Sequence, residues 1–481
     1  MTTRHDAVVI GSGPNGLAAA VAMAREGAAV LVLEARDEIG GGTRTAELTL
    51  PGFLHDVCSA VHPMGLLSPY FRTLDLEAHG LRWILPPASV AHPLDGEPAV
   101  MLWRSMDATC AGLGPDGPAY RRLLDPFLRD PHAFLSDALG PLAIPRHPLL
   151  LARFAMAGLP SAVRLARRRF HETRARALFA GLAAHAIQSL DRLLTGSVGM
   201  IFALTGHVQE WPIVAGGSQG ITRALASLLG RLGGRIQTGT PITSAGQLPP
   251  ARMYLFDTSP NQLASVAGDF LPGGYLKRIR RYRYGPGAFK LDWALDGAIP
   301  WTDPECLKAS TVHLGGTLEE IAAGEAAVWR GEHPERPFVL LCQQSQFDPT
   351  RAPEGKHTGY AYCHVPGGST VDMTQAIENQ VERFAPGFKD RILARHVLRP
   401  ADFERDNPND VGGAITGGVA DLFQLFARPV ARINPYTTPN PRILICSASS
   451  PPGGGVHGMC GYHAAKTALK RIRRFEAASL A

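Results

Sequence analysis

Gly11-Ser12-Gly13-Pro14-Asn15-Gly16 and Glu34, 23 residues past the first glycine, are residue types that together can hold a pyrophosphate and a ribose. Gly11 permits a tight turn, Gly13 lets a phosphate approach the backbone, and Gly16 lets a helix pack closely on a strand. Glu34 can accept hydrogen bonds from both ribose hydroxyls, and a carboxylate there disfavours a 2′-phosphate and hence NADP. These residues need three elements to position them. Asp6–Ile10 reads as an apolar strand, Leu17–Ala24 as an alanine-rich helix stopped by Gly27, and Val30–Leu33 as a second strand. The helix start adds unpaired N–H groups and the positive end of a dipole. A lone GxGxxG is a weak sign; strand, helix, second strand and acid in order predict a dinucleotide site.

Three further glycine clusters follow the fingerprint. Ala35 and Arg36 lead from Glu34 into Gly40-Gly41-Gly42-Thr43, whose backbone N–H groups can reach a second side of the ligand. Gly216-Gly217-Ser218 precedes a helix predicted over 221–232, with short strands expected at 235–238 and 241–243, the latter holding Ile242. Near the end, strand 442–446 enters Pro451-Pro452-Gly453-Gly454-Gly455-Val456-His457-Gly458-Met459, and a helix is predicted from Tyr462 to about Phe475. No second ribose-binding acid follows this last junction. Its natural partner is therefore the far end of the same ligand, such as the N1–O2 edge of a flavin, which gains negative charge on reduction. Gly112-Leu-Gly114-Pro-Asp-Gly117 also matches GxGxxG, but no strand precedes it and no acid-tipped strand follows, so it reads as a turn between helices.

The bulk properties narrow the class. A chain of 481 residues with 45% hydrophobic and 19% charged residues is globular and suggests two or three domains. A net charge of +6 does not require nucleic acid, and no nucleic-acid-binding pattern supports it. The seven cysteines form no CxxC or CxxxxC, which argues against disulfide exchange and cysteine-based zinc sites. Reduced thiols, and an N-terminus that runs almost directly into a strand, point to the cytoplasm without a cleavable signal. No run of 18 apolar residues predicts a spanning helix.

Residues 118–205 read as mainly helical. Pro148–Ala157 is apolar and leads to Arg164, Arg167, Arg168, Arg169, Arg174 and Arg176, so 148–176 resembles an interfacial segment on an anionic membrane, against the plainer alternative of a solvated basic helix face. Strand-like runs at 85–110, 288–295, 337–342 and 358–365 suit the sheet of a second domain. Lys290 is expected to point into a cavity or outward from its strand, and Tyr362 and His364 are placed on opposite faces of theirs. No Ser-His-Asp or metal-ligand cluster stands out.

The whole set of motifs resembles the flavin-dependent amine oxidase and phytoene desaturase superfamily. The stretches carrying it are Gly11–Gly16 with Glu34, Gly40-Gly41 with Gly52-Phe53 and Asp56, Gly216-Gly217-Ser218, Phe289-Lys290-Leu-Asp-Trp293 and Pro452–Met459. It is nearest the phytoene dehydrogenase-related branch that includes the pyridine nucleotide-disulphide oxidoreductase domain-containing proteins. Carotene desaturases have a proline where His457 stands, which turns the expectation away from carotenoids. The resemblance implies an α/β fold: a discontinuous Rossmann-like FAD-binding domain of glutathione reductase type, an inserted α+β substrate domain and a helical subdomain. The expected boundaries are 1–75, 205–265 and 425–481 for the FAD domain, 76–117 and 266–424 for the substrate domain, and 118–204 for the helical part.

On this basis FAD is the expected cofactor. Its expected contacts are Gly11, Gly13, Pro14, Asn15, Gly16, Glu34, Ala35, Arg36, Gly41, Gly42, Thr43, Ile242, Gly454, Gly455, His457, Gly458 and Met459. His457 and Lys290 are the candidate catalytic residues, and no metal is expected. The expected reaction is hydride removal from a small apolar, lipid-like or polyprenoid substrate onto flavin N5, with a quinone or oxygen as acceptor. The rival readings are a flavin amine oxidase, for which the 7% aromatic content shows no clear cage pair, and a non-catalytic FAD-stabilised scaffold. Expected partners include a membrane surface but no nucleic acid; the sequence leaves the oligomeric state open.

Overall fold

The computed structural model describes residues 5–141 and 145–480. Apolar strands without alternation need cover on both faces, and two sheets meet that need differently. Numbering strands in chain order, the first sheet contains β1 (His5–Ile10), β2 (Val30–Leu33), β5 (Arg235–Gln237), β6 (Ala251–Phe256) and β12 (Ile443–Ile445). The second contains β3 (Ala88–Leu94), β4 (Glu97–Trp103), β7 (Gly287–Leu295), β8 (Ala309–Leu314), β9 (Val339–Cys342), β10 (His357–Val365) and β11 (Ile392–Leu398).

The first sheet is wholly parallel in the order β12-β6-β1-β2-β5. Its register sets Ile10 beside Leu33 and Phe256, and Phe256 beside Ile445, so four strands end level. The residues that follow them, Gly11, Glu34, Asp257 and Cys446, therefore share one edge. Helices α1 (Pro14–Ala24), α6 (Gln219–Arg231) and α7 (Met459–Leu480) cover one face, burying Val9, Val32 and Leu255. Helices Pro260–Ala267 and Gly273–Ile279 cover the other, over Val8, Leu31 and Phe256. Residues 273–279, read from the sequence as part of the substrate domain, thus pack on the nucleotide-type sheet, because Tyr275 and Ile279 fit its apolar face. The strand expected at 241–243 does not form; Thr243 and Ser244 donate their N–H groups to the Gln247 side chain instead.

The second sheet runs β11-β7-β10-β9-β8-β3-β4 and is antiparallel except where β8 meets β3. Phe289, Leu291, Trp293, Val312, Leu341 and Cys363 fill one face under helix Thr374–Phe384. The other face carries Lys290, Asp292, Thr311, His313, Tyr360, Tyr362 and His364. Tyr362 and His364 therefore share a face, their rings 5.7 Å apart; side chains two residues apart in a strand must do so, which corrects the placement on opposite faces. Helices α2 (Pro148–Gly158), α3 (Ala162–Arg169), α4 (Thr173–Ala184) and α5 (Thr195–Val208) form a third layer, with Phe154, Leu165, Phe179 and Leu204 in its core. The second GxGxxG is a turn between helices Met106–Gly112 and Gly117–Leu128, as its flanks predict.

Among the described residues no single helix is long and apolar enough to cross a membrane. Helices α2 and α3 are bent 89° to one another. Only part of the basic run is solvated. Arg174 donates to the carbonyls of Gly112 and Pro98 and Arg176 to that of Phe170, whereas Arg164, Arg168 and Arg169 are exposed.

Two contacts fix the layers. Arg351, fully buried, holds Asp56 at 3.0 Å and Asp348 at 3.2 Å, and these carboxylates accept the N–H groups of Ser218 and Gly216 at 2.7 Å each. The Arg351 guanidinium and the Ser218 N–H overcome burial and hold the Asp56 carboxyl below its usual range. The middle glycine junction is thus a clamp between the sheets, not a phosphate cradle. The second contact is between α1 and α7, where a Cβ on Gly461 would lie 1.8 Å from the Asn15 carbonyl oxygen. Gly461→Ala must push the helices apart and is expected to cost about 1–3 kcal/mol, as overpacking does. A urea melt checks this: an unchanged midpoint would show that the helices are not in this contact.

Candidate functional site

The site begins at the shared edge of the parallel sheet. Gly11 sits at φ +101° and Gly40 at +132°, conformations that L side chains rarely adopt. A Cβ on Gly16 would lie 2.2 Å from the Gly11 carbonyl, so the fingerprint turn requires glycine there. Gly13 caps α1 without a side chain, and Pro14 fills the first turn where no N–H is lost. The Asn15 side-chain oxygen is buried without a partner. Glu34 is held ready: its Oε2 accepts from the Ser12 N–H (2.9 Å) and hydroxyl (2.5 Å), and its Oε1 from the Arg36 N–H (3.0 Å). The second glycine loop folds back so that a Cβ on Gly41 would touch Gly13 Cα at 3.1 Å. Thr43 closes that loop by donating to Gly40 O at 2.8 Å, beside Gly42.

The terminal junction comes to the same place. Gly458, at φ +67°, leaves room where a Cβ would strike Phe71 and Ala18, and so lays α7 against α1. Two helix N-termini converge here, which makes the edge electropositive without a charged side chain. His457 caps α7: its Nδ1 accepts the Met459 N–H at 3.0 Å, while its carbonyl accepts from the Ser68 hydroxyl at 2.6 Å. Burial pushes its pKa down to about 4, with His463 adding to the effect, so the ring is neutral near pH 7. A neutral ring that accepts at Nδ1 carries its proton on Nε2, and that buried Nε2 makes no hydrogen bond of good geometry, although the Gly453 and Gly454 backbone lies close to the ring.

Beside this junction lies a cavity of about 1300 Å³. Its wall includes Gly454, Gly455, His457 and Met459 from the junction, Cys58, Tyr360 and Tyr362 from the second sheet's side, and Phe154, Ile187, Ile201 and Phe202 from the helical layer. The orphaned His457 donor, the glycine cradles and the poised Glu34 all suit a dinucleotide cofactor laid from the fingerprint towards the cavity.

The predicted residues do not all gather there. Residues 11–16, 34, 41–43 and 454–459 converge. Arg36 is drawn away, its side chain donating to the Asp406 carbonyl at 2.7 Å, and Ala35 is exposed. Ile242 packs half-buried on the opposite face of the sheet. Lys290 is fully buried and does not line the cavity. Its ammonium donates to Asp292 at 2.5 Å and lies 4.4 Å from the Tyr360 ring centre, so a role at the cavity would need Tyr360 to move aside. Lys290 thus points neither into the cavity nor to solvent, because the Tyr360 ring lies against its ammonium and lines the cavity in its place.

Three residues of this region escaped sequence reasoning. Arg428 is buried at the cavity wall and donates only to the carbonyls of Ala448 (3.0 Å), Gly417 (3.3 Å) and Gly418 (3.4 Å). Among the described residues it has no carboxylate, so the junction holds an uncompensated cation that favours an anion. His185 lines the same cavity. Asp257 lies inside the fingerprint, accepting the Gly16 N–H at 2.7 Å. A signal existed for Asp257, since it ends a parallel strand, but nothing in its spacing marks β6 as the neighbour of β1.

The seven cysteines are all free, so none of them forms a disulfide in this structure. The family model for an NAD(P)-binding Rossmann-like domain matches residues 9–74. The mouse protein named pyridine nucleotide-disulfide oxidoreductase domain-containing protein 2 is 30% identical, over 98% of this chain and 94% of its own length. An oxidoreductase from Methanosarcina mazei shares the fold with a TM-score of 0.66 at 15% identity, covering 96% of this chain and 99% of that one. Putrescine oxidase bound to putrescine does so with 0.64 at 16%, covering 98% and 100%.

Burial, reinforced by Glu34, lifts the Asp257 carboxyl up to about 7 despite the Gly16 N–H. Protonation removes a negative charge from the place a phosphate would occupy. Binding of ADP to cofactor-free protein is therefore expected to weaken as the pH rises through about 7, and Asp257→Asn to bind more tightly with a flatter pH profile. Calorimetry at pH 6 and 8 checks this; parallel profiles would show that Asp257 does not face the phosphates.

Proposed function

Because the chain belongs to the family of pyridine nucleotide-disulfide oxidoreductase domain-containing protein 2, we propose that it is an FAD-dependent oxidoreductase that dehydrogenates or desaturates an apolar, lipid-like or polyprenoid substrate. The observation that carries this reading is the large, mainly apolar cavity opening onto Gly454, Gly455 and His457. FAD, when bound, supplies the acceptor for a hydride leaving a substrate C–H bond. Gly11, Gly13, Gly16 and the start of α1 would hold its phosphates, Glu34 its ribose, and Gly41–Thr43 and Gly454–Met459 its remaining length. Arg428 and the start of α7 bring positive charge to the junction. His457 offers a fixed Nε2–H donor; with its pKa near 4 it orients a partner and does not exchange protons near neutrality. The apolar walls exclude water and place a C–H bond.

A second reading, an amine oxidase, is favoured by one observation. Tyr360 and Tyr362 both line the cavity with ring centres 6.1 Å apart, an aromatic pair that the composition did not reveal. Their planes cross at 89°, so they do not form two facing walls for an amine. Anaerobic photoreduction followed by reoxidation separates the readings. Rapid reoxidation by a quinone and slow reoxidation by oxygen is expected. Fast peroxide formation would instead indicate an oxidase, and a flavin that no small-molecule donor can reduce a non-catalytic scaffold.

We further propose that α2 rests on an anionic membrane surface and that the protein works in a reducing compartment such as the cytoplasm. Leu149 and Met156 are 86% and 74% exposed on α2, while Leu151 and Phe154 of the same helix line the cavity. Arg146 and Arg153 are exposed close by, and seven free thiols suit a reducing compartment. Leu149→Glu with Met156→Glu is expected to lower co-sedimentation with phosphatidylglycerol vesicles at least about tenfold, since apolar burial and charge act together. Unchanged sedimentation would place the contact elsewhere.

A further inference from the structure

One part of the cavity wall is polar without being charged. His185, just after α4, stacks on Phe202 with ring centres 4.3 Å apart and meets Trp211 edge-on at 5.4 Å, so two aromatic side chains fix its plane. Its Nε2 lies 2.9 Å from Nε2 of His313, a buried residue of β8. That is the one hydrogen bond the His185 ring makes among the described residues, which leaves Nδ1 unspent on a ring that lines the cavity. Thr311, on the same strand face as His313, lines the cavity too, and its buried hydroxyl has only the weakly bonding Cys342 thiol beside it. The neighbouring wall, with Ile187, Ile201 and Leu340, offers these groups nothing. Buried polar groups are normally satisfied, so unspent capacity facing an apolar cavity points to a ligand.

The chemistry of that ligand is constrained. Burial keeps both rings neutral, pushing His185 down to about 3 and His313 well below its usual value. Each ring then has one N–H, and one Nε2 donates to the other. If His313 donates, His185 presents Nδ1–H; if His185 donates, it presents a lone pair. The pair can therefore serve a carbonyl or a hydroxyl. It offers no charge to a carboxylate. The nearby acid Glu325 is taken by His364 at 2.8 Å and cannot serve an ammonium.

We propose that this wall recognises one neutral oxygen, a hydroxyl or carbonyl, on an otherwise hydrocarbon ligand, with His185 as its hydrogen-bond partner and His313 as the residue that positions it. The proposal rests on the apolar-substrate reading above.

Displacement of Nile red from the FAD-loaded protein by 1-octanol and by 1-chlorooctane tests it, since the two differ only in the terminal group. His185→Phe and His313→Phe are expected to weaken octanol about tenfold, the loss of one hydrogen bond, and to leave chlorooctane within about twofold. His185→Gln, which keeps a donor and an acceptor, is expected to recover part of the loss. His185→Leu replaces the phenylalanine variant if the larger ring prevents folding. Equal effects on both compounds, or none on octanol, would overturn the assignment and leave the apolar cavity standing. If neither compound displaces the dye from the native protein, the apolar-substrate reading fails and this one with it.

Discussion

The close approach of α1 and α7 is the constraint on which the site depends. With Gly461 against the Asn15 carbonyl and Gly458 against Phe71 and Ala18, the two helices begin side by side at the edge where the parallel strands end. Their N-termini supply N–H groups and positive dipole ends. Neither effect needs a charged residue, so the edge can take an anionic cofactor while the adjoining cavity stays apolar. Any side chain at 458 or 461 would separate the two ends and divide the site.

Around this edge the charges are arranged in two ways. Arg351 is balanced by Asp56 and Asp348, and the trio joins the sheets by accepting the N–H groups of the middle glycine junction. Arg428 is unbalanced, although equally buried. A balanced buried cation is structural, because removing one partner strands the other. An unbalanced one at a cavity wall favours an anionic ligand there. The same contrast separates Lys290, satisfied by Asp292, from His457, whose Nε2–H makes no hydrogen bond of good geometry.

Much of this was legible in the sequence because it is local. The fingerprint, Glu34 and the terminal junction each lie within one strand-turn-helix unit, whose turn geometry demands glycine and whose strand end demands an acid. The strands at 287–295, 339–342 and 357–365 could be read from apolar runs for the same reason. What escaped was long-range. Asp257 enters the fingerprint because β6 pairs with β1 across some 240 residues of chain. Arg351 meets Asp56 only once the sheets have docked, and His185 meets His313 only where the helical layer covers the second sheet. Gly216-Gly217 shows the converse, since the local pattern suggested a phosphate cradle and the distant carboxylates made it a clamp.

The proposed cofactor is one FAD that runs from the fingerprint to the 453–461 junction. Heat or acid release of the cofactor from the purified protein, followed by chromatography against standards, tests this most directly. FAD is expected at about one per chain, and is expected to be lost when Gly13 is replaced by a bulky residue because the pyrophosphate can no longer approach the backbone. Release of FMN or NAD(P), or FAD retained in full by the Gly13 variant, would contradict it.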